Sequence, residues 1–359
     1  MNRPYRGIQV GTGGQGAAWC RSFLPPHVDN GLIEIVGAVD IDPEQLVHAQ
    51  EGLGLDSADC FTDVDEAFTT LDADFCTVVV PPEYHEPVID SAVANDLHIL
   101  SEKPIADSLE AAIRIASKVE RAGLKMGVTM SHRYRKDITT LRRRIRANEG
   151  GPLDYVAARL LCRYREYGSW ASGTFRHEMD HPLLVDGAIH HLDFLTDLAG
   201  GRCERLFAET WLPEWAPFAG DTNALVTMFM ENGTRVTFEG ALSNATPLNC
   251  WGSEYIRAEC RDATYIVGNG EIERHDGFSE HRPEGSGEPI PLDEQATWSN
   301  TWLVEQFVEW LDGGERMDTN VRDNLQSMAL VEAAIQSSTR GEPVNVQELL
   351  AEAQSAVIS

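Results

Sequence analysis

The chain has 359 residues and a mass of 39.7 kDa, too long for one ordinary hydrophobic core and suited to two domains of ~100–200 residues each. Hydrophobic residues make up 42% of it, which excludes wholesale disorder, and no apolar run reaches the roughly 18 residues that a membrane helix needs. The formal net charge of -28 disfavours nucleic acid and anionic membranes as partners, because an acidic surface repels their phosphates.

The first 130 residues alternate strand-like and helix-like segments, and the first strand leaves no room for a secretory signal before it, so we expect a cytoplasmic protein. Short apolar runs predict strands at 7–10, 33–39, 75–80, 98–100 and 126–129. Helical patterns lie between them at 14–24, 43–50, 83–95 and 108–122, the first closed by Pro25 and Pro26. This alternation predicts an α/β fold whose first domain, residues 1–130, has a parallel sheet covered on both faces.

The second half has the pattern of antiparallel strands and forms a second domain, which we assign to residues 131–359. Strand candidates lie at 155–164, 206–211, 224–231, 234–240 and 255–260. Asn232 and Gly233 form a two-residue hairpin signal with positive φ available at both positions. Residues 277–297 are rich in Gly, Pro, Glu and Ser and predict an exposed loop. Two amphipathic helices then close the chain and are free to pack back on the first domain, with N-caps at Ser299 and Asn320 and stops at Gly313 and Gly341.

The chain has seven cysteines, an odd number with wide spacing and no CxxC pair. This pattern argues against a disulfide scaffold and a structural zinc site, and we expect buried free thiols in a reducing compartment. The cysteines stand at positions 20, 60, 76, 162, 203, 250 and 260.

A glycine-rich turn joins the first predicted strand to the first predicted helix. The first glycine suits a tight turn, the second lets backbone approach a pyrophosphate, and the third lets helix and strand pack closely. The N–H groups at the start of the helix would then face the phosphates. The turn therefore predicts a dinucleotide site, formed by Gly11, Thr12, Gly13, Gly14, Gln15 and Gly16.

Asp40 ends the second predicted strand at the place where a carboxylate holds the adenosine ribose in such sites. Ile41 follows it and is assigned to the same cofactor site, and Asp42 adds a second carboxylate with no Arg or Lys between. Two carboxylates would repel a ribose 2′-phosphate, so we favour NAD over NADP. The alternative for Asp40 is a solvated strand end or a cap for the helix at Pro43.

Lys103 follows the fifth predicted strand, at the sheet edge where open parallel sheets bind ligands. A lysine can deliver a compact charge or a proton to a substrate oxygen, and only four lysines occur in the chain. The alternative is a surface lysine paired with Glu102.

The segment from Asp186 to Asp197 predicts a helix with an ionisable stripe at Asp186, His190, Asp193 and Asp197. A histidine with carboxylates at i−4 and i+3 can be oriented by one of them and exchange a proton near neutral pH. The alternative is a solvated polar face. A second histidine motif, from His177 to His181, has the HExxH form of zinc proteases, but Pro182 interrupts the helix that this chemistry needs, so we assign no metal.

With these motifs in this order along the sequence, the chain resembles the glucose–fructose oxidoreductase / inositol dehydrogenase / MocA family over nearly its whole length. The resemblance rests on the glycine turn, Asp40, the Pro81-Pro82-Glu-Tyr-His85 segment, Glu102-Lys103-Pro104 and the Asp186-x-x-x-His190-x-x-Asp193 segment. Position 188 is Ala where many relatives have Gly.

The resemblance implies a Rossmann domain, then an α/β domain with a large, mostly antiparallel open sheet whose outer face makes a homodimer or homotetramer contact. It implies hydride transfer between a nicotinamide and a sugar, cyclitol or related substrate. Carried over by position, His190 would be the general base or acid, Lys103 would polarise the reacting oxygen, and Asp186 would hold the substrate or His190. The residues implied to lie along the cofactor are Pro81, Pro82, His85 and Glu102.

We therefore predict an NAD-dependent dehydrogenase that oxidises a secondary alcohol. Arg133, Tyr164 and Trp170 are further candidates for its substrate pocket, although aromatic and arginine residues have many other uses. Two alternatives remain, an NAD-bound sugar sensor without turnover and a glycosidase that uses transient oxidation by bound NAD.

The acidic, lysine-poor composition also suggests adaptation to a salty cytoplasm. We expect the free energy of unfolding to rise from low to multimolar salt, because screening relieves repulsion among the excess negative charges. Denaturant unfolding at several KCl concentrations measures this, since chloride avoids the general stabilisation that sulfate produces. A stability that stays constant over that range would contradict a halophilic origin.

Overall fold

The computed structural model describes residues 3–170, 174–276 and 287–358, and it divides into two compact units. The first contains the chain up to Ser131, Thr297–Met328 and the residues from Ala353 onward. The second contains His132–Ala296 and Ala329–Glu352. The carboxyl-terminal segments are therefore shared between the two units. None of the described helices combines the length and the apolar character needed to cross a membrane.

A six-stranded parallel sheet forms the centre of the first unit, as the alternating pattern predicts. Its strands are β1 (Tyr5–Val10), β2 (Ile33–Val39), β3 (Cys60–Phe61), β4 (Phe75–Val78), β5 (His98–Ser101) and β6 (Met126–Val128), in the order β3-β2-β1-β4-β5-β6. Every residue of β4 is buried, because a central parallel strand has helices on both faces. The two residues of β3 are too short a run to be predicted.

Helices connect the strands of the sheet and close the chain. They are α1 (Gln15–Ala18), α2 (Pro25–Asp29), α3 (Val47–Leu53), α4 (Val64–Thr70), α5 (His85–Ala94), α6 (Leu109–Arg121), α7 (Lys136–Arg146), α8 (Phe175–Glu178), α9 (Ile189–Ala199), α10 (Ser299–Leu311), α11 (Val321–Arg340) and α12 (Val346–Ile358). The hydroxyl of Ser108 caps α6 by accepting from the Ala111 N–H at 3.3 Å.

Four predictions about helices differ from the structure. Ser299 is the first residue of α10 and not its N-cap, which is Trp298. The predicted helix 14–24 divides into α1 and a wider π-helical turn at Trp19–Phe23, and Pro25 and Pro26 begin α2 rather than ending a helix. Proline fits the first turn because the N–H that it lacks has no partner there. A third helix, α12, follows the two that were predicted at the end of the chain.

A nine-stranded sheet forms the centre of the second unit. Its strands are β7 (Leu153–Leu161), β8 (Cys203–Trp211), β9 (Asn223–Met230), β10 (Arg235–Ala241), β11 (Tyr255–Cys260), β12 (Thr264–Gly268), β13 (Glu271–His275), β14 (Glu288–Ile290) and β15 (Val344–Asn345). The order is β14-β13-β12-β11-β7-β10-β9-β8-β15, and only β10 and β7 run parallel among these described strands. The prediction of an open, mostly antiparallel sheet is confirmed.

The turn between β9 and β10 differs from the predicted two-residue hairpin. Gly233 has φ 92°, but Asn232 does not take positive φ, and the Met230 N–H donates to the Thr234 carbonyl at 3.1 Å. The Asn232 amide instead donates to Ala199 O at 2.8 Å, so a tertiary contact holds that side chain. Of the predicted loop 277–297, residues 277–286 lie outside the described part of the chain, and Glu288–Ile290 pair with β13 as a strand.

A disulfide joins Cys162 and Cys250, so the expectation of free thiols is wrong for these two residues. They are 88 positions apart in the sequence, and their Cα atoms lie 4.7 Å apart because the Leu161 N–H pairs with Asn249 O beside them. Sequence spacing gives no sign of such a tertiary approach. The other five cysteines are free thiols, of which Cys20, Cys76 and Cys203 are buried.

A buried ionic cluster connects α9 to α7 and to the turn that precedes α7. Arg133 donates to both oxygens of Asp193 at 2.6 and 2.8 Å, and Asp197 accepts from Arg133, Arg142 and Arg146. The Asp193 side chain is 1% exposed and that of Arg133 is 13% exposed. Both charges are therefore held away from water and depend on each other.

Asp193→Ala should lower the free energy of unfolding by about 3 kcal/mol or more, because it leaves the Arg133 guanidinium buried without its main counter-ion. Glu120→Ala is the matched control, since Glu120 pairs with Arg322 at the surface, where the side chains are 44% and 65% exposed. An exposed pair of this kind contributes about 0–1 kcal/mol. Equal losses in the two variants, measured by urea unfolding, would contradict the structural role of the buried pair.

Candidate functional site

The turn after β1 has a backbone that only glycine permits at two positions. Gly11 has φ 81°, and a Cβ there would lie 2.0 Å from the carbonyl oxygen of Val79. A Cβ on Gly16 would lie 2.2 Å from the carbonyl oxygen of Gly11. Thus β1, β4 and α1 approach one another closely at this turn, which is the packing that a dinucleotide site requires.

Asp40 lies against this turn. Its Oδ2 accepts from the backbone N–H groups of Thr12 and Gly13 at 2.7 and 3.1 Å, and from the Thr12 hydroxyl at 3.2 Å. The next residue, Ile41, is 86% exposed. The structure therefore brings the two predicted halves of the nucleotide site together and leaves an apolar surface beside them.

Two buried polar residues hold the turn by hydrogen bonds, and neither was among the predicted site residues. Gln9 Nε2 donates to Gly11 O at 2.6 Å, and the Thr77 hydroxyl donates to Gln9 Oε1 at 2.6 Å. Both side chains are fully buried. The available signal was a polar residue inside each of two apolar strand runs, since such residues need internal partners.

The segment after β4 contains Pro81, Pro82 and His85. The His85 ring is buried and lies between two backbone carbonyls, with Nε2 2.9 Å from Val80 O and Nδ1 3.1 Å from Ile105 O. Burial lowers the pKa of His85 below its usual value, although both carbonyls favour the protonated form. The His85 ring thus connects the chain at Val80 to the chain at Ile105. Pro81 is exposed and Pro82 is partly exposed.

Glu102 and Lys103 follow β5. The Glu102 carboxylate is 8% exposed and accepts from the Trp19 indole N–H at 2.8 Å and from the Lys103 backbone N–H at 3.2 Å. The Lys103–Pro104 peptide bond is cis. These contacts give Glu102 the role of holding the backbone at Lys103.

His190 lies on α9 within a group of aromatic rings. Its ring stacks on that of His132, with centroids 4.2 Å apart and planes at 27°, and the Trp251 ring is 6.4 Å away. His190 is 8% exposed. Burial lowers the pKa of His132 well below its usual value, and the neighbouring His190 and His191 lower it further.

The segment from Asp186 to Asp197 is helical, as predicted, but Asp186 lies in a π-helical turn that leads directly into α9. Leu183–Ala188 form a π-helical turn before α9, and hydrophobic periodicity does not resolve the extra residue of such a turn. The Asp186 carboxylate lies 2.5 Å from Arg176 Nε. Arg176 in turn lies over the Trp170 ring, 5.4 Å from its centroid.

Tyr164 and Trp170 stack face to face, with ring centroids 5.3 Å apart and planes at 5°. The Tyr164 hydroxyl accepts from the Trp251 indole at 2.8 Å, and burial raises the pKa of Tyr164. With Arg176, they form an aromatic and ionic group that includes Asp186. The structure thus brings together three predicted substrate residues, Tyr164, Trp170 and Asp186. Arg176 and Trp251 also belong to this group, although no sequence motif indicated them.

Arg133, the fourth predicted pocket residue, is engaged elsewhere. Burial would lower the pKa of its guanidinium, but the charge and hydrogen bonds of Asp193 raise it above the usual value. The structure therefore gives Arg133 a role in the ionic cluster that holds α9. His177 and His181 do not share a helix, because α8 ends at Glu178 and Met179 is extended.

The fold and the glycine turn place the protein in the class that has an amino-terminal dinucleotide-binding domain. Two family profiles match the chain. The oxidoreductase family, NAD-binding Rossmann fold, matches residues 8–130, and the oxidoreductase family, C-terminal alpha/beta domain, matches residues 142–346. The chain belongs to the Gfo/Idh/MocA oxidoreductase family.

The chain is also similar to individual proteins. The uncharacterized protein y4oX of Sinorhizobium fredii is 48% identical over 96% of this chain and 97% of its own length. Inositol 2-dehydrogenase of Corynebacterium glutamicum is 26% identical over 67% of each chain. An oxidoreductase from Agrobacterium radiobacter, solved with NAD+, L-tartaric acid and magnesium, has TM-score 0.82 and 18% identity over 96% of this chain and 99% of that one.

Proposed function

We propose that this protein transfers hydride between NAD and a secondary alcohol or ketone of a sugar, cyclitol or sugar derivative. Family membership carries the proposal, together with Lys103 after β5 and His190 on α9. Inositol 2-dehydrogenase is a related enzyme, which supports a polyhydroxylated substrate.

The residues around the glycine turn fit a dinucleotide. Gly11 and Gly16 allow the close backbone packing on which such a turn depends, and the exposed Ile41 offers an apolar face to an adenine ring. Asp40 Oδ2 holds the N–H groups of the turn, so its carboxylate is oriented before a ribose hydroxyl binds. When bound, NAD supplies the hydride acceptor.

On the substrate, His190 takes the proton of the reacting hydroxyl, and the Lys103 ammonium stabilises the negative charge that develops on its oxygen. An imidazole suits the first task because it exchanges protons near neutral pH. The ammonium suits the second because a charge placed where an alkoxide forms stabilises the transition state. The stack of Tyr164 on Trp170 and the Asp186–Arg176 pair position the rest of the substrate.

Asp40 and Asp42 support a preference for NAD over NADP, since neither carboxylate has an ion pair with Lys or Arg in the described part of the chain. Removing one negative charge near the 2′-phosphate changes the interaction by about 1–4 kcal/mol, depending on the local dielectric.

Asp40→Asn should therefore raise the affinity for NADP relative to NAD by ~10-fold or more, a change of about 1.4 kcal/mol, while the amide oxygen still accepts from the turn. Titration with each nucleotide measures the ratio. Asp63→Asn, which changes a carboxylate that caps α4, is the matched control and should leave it unchanged. An unaltered ratio in Asp40→Asn would contradict the proposed preference.

Lys103→Ala and His190→Ala should each lower kcat/KM by ~10²–10⁴ and leave the Kd for NAD within a few fold. Lys136→Ala, at an exposed ion pair with Glu294, is the control and should keep full activity. The double variant should lose much less than the product of the single losses if both groups act on one transition state.

NADH absorbance with a panel of sugars, inositols and sugar acids separates the alternatives. Net NADH accumulation supports the dehydrogenase, and product without accumulation identifies a glycosidase that oxidises transiently. Binding of NAD and sugar without any product identifies a sensor. Full activity in either single variant would remove that residue from the mechanism.

A further inference from the structure

Three side chains of the second unit direct metal-ligating atoms at one another. Ring nitrogens of His132 and His191 and a carboxylate oxygen of Glu254 all lie within 4.8 Å of one another. His191 is 0% exposed and Glu254 is 1% exposed. They come from three separate places, the turn Ser131–Tyr134, helix α9 and the chain just before β11, so no sequence motif marks them.

One ring nitrogen of His191 is hydrogen-bonded, and the other faces a carboxylate. Its Nδ1 lies 3.3 Å from the Gly187 carbonyl, which only accepts hydrogen bonds, so Nδ1 carries the ring proton. The Nε2 of a neutral ring is then an acceptor, and it faces Glu254 Oε1 at 3.6 Å. Neither atom has a hydrogen-bond partner, and the buried Nδ1 of His132 also has none.

The charges around the three residues also favour a cation. Arg135 is shared, because its Nη1 lies 2.5 Å from Glu254 Oε2 and its Nη2 lies 2.6 Å from Asp137 Oδ2. Arg135, Asp137 and Glu254 together carry one excess negative charge, and both carboxylates are buried, with Asp137 4% exposed. Buried polar atoms and buried charge without compensation are costly.

We propose that His132, His191 and Glu254 bind one divalent transition-metal ion of the zinc class. Two imidazoles and one carboxylate are a ligand set that zinc uses in sites with an open fourth position. Ligand atoms about 2.1 Å from a tetrahedral ion lie ~3.4 Å apart, near the separation of His191 Nε2 and Glu254 Oε1. Gly187 and Arg135 supply the outer hydrogen bonds that orient two ligands.

Aromatic rings surround the three ligands and connect them to His190. Phe194 and Phe238 lie 5.3 and 5.2 Å from the His191 ring, and Trp251 lies 5.6 Å from His132. An apolar shell limits the access of water to a metal. Because His190 stacks on His132, the ion also fixes the ring on which His190 rests. The binding itself does not depend on the proposed dehydrogenase activity.

The test uses the full chain, stripped with a chelator and dialysed, and needs no substrate or NAD. Zinc is titrated by calorimetry, and elemental analysis should find one ion per chain. X-ray absorption at the zinc edge should show two imidazole nitrogens at about 2.0–2.1 Å. Cobalt should give visible d–d absorption that zinc displaces.

His191→Ala and Glu254→Gln should each weaken zinc binding at least ~100-fold, since loss of outer-shell partners alone costs ~10–100-fold. Glu254→Gln keeps the shape of the side chain and an oxygen for Arg135, and near-ultraviolet circular dichroism identifies the variants that fold. The double variant of His177→Ala and His181→Ala, the other histidine pair, should retain the ion.

Two results would overturn the proposal. The first is a stripped chain that takes up neither zinc nor cobalt, or takes them up equally in folded Glu254→Gln. The second is a ¹⁵N spectrum in which the His191 ring is doubly protonated in the presence of excess zinc, which would show that a proton bridges it to Glu254.

Discussion

The second unit depends on ion pairs between two buried carboxylates and two arginines of one short segment. Asp193 on α9 and Glu254 before β11 are each 1% exposed, and Arg133 and Arg135 provide their counter-ions. A buried carboxylate without a partner would cost several kcal/mol, so these contacts fix where the segment, the helix and the strand meet. The stacked rings of His132 and His190 belong to the same segment and helix that these ion pairs connect.

The first unit organises its site by a different physical means. Gly11 and Gly16 permit backbone approaches that any side chain would block, and Asp40 then holds the N–H groups of the turn. The determinants are backbone shape and hydrogen bonds within a parallel sheet, which a local sequence pattern records well. In the second unit the determinants are side-chain contacts between residues that are distant in the sequence, and His132 and Glu254 are 122 positions apart.

Three features of the second unit differ from the predictions. The π-helical turn at Leu183–Ala188 adds one residue that hydrophobic periodicity does not resolve, and it separates Asp186 from the register of His190. The turn at Asn232 differs because that side chain bonds to Ala199. Cys162 and Cys250 pair because β7 and the chain after β10 lie side by side. In the last two cases a tertiary contact overrides a local preference.

The sequence by itself determined the alternation of strands and helices in the first domain apart from β3 and α4, the antiparallel character of the second sheet, the glycine turn with Asp40 and the family. These follow from periodicity, glycine placement and short motifs, which are local properties. Only the tertiary structure decided that Arg133 pairs with Asp193, that Tyr164, Trp170 and Asp186 form one group through Arg176, and that His132, His191 and Glu254 converge. Ion pairs, ring stacking and ligand clusters depend on distances in space, and residue spacing along the chain does not contain them.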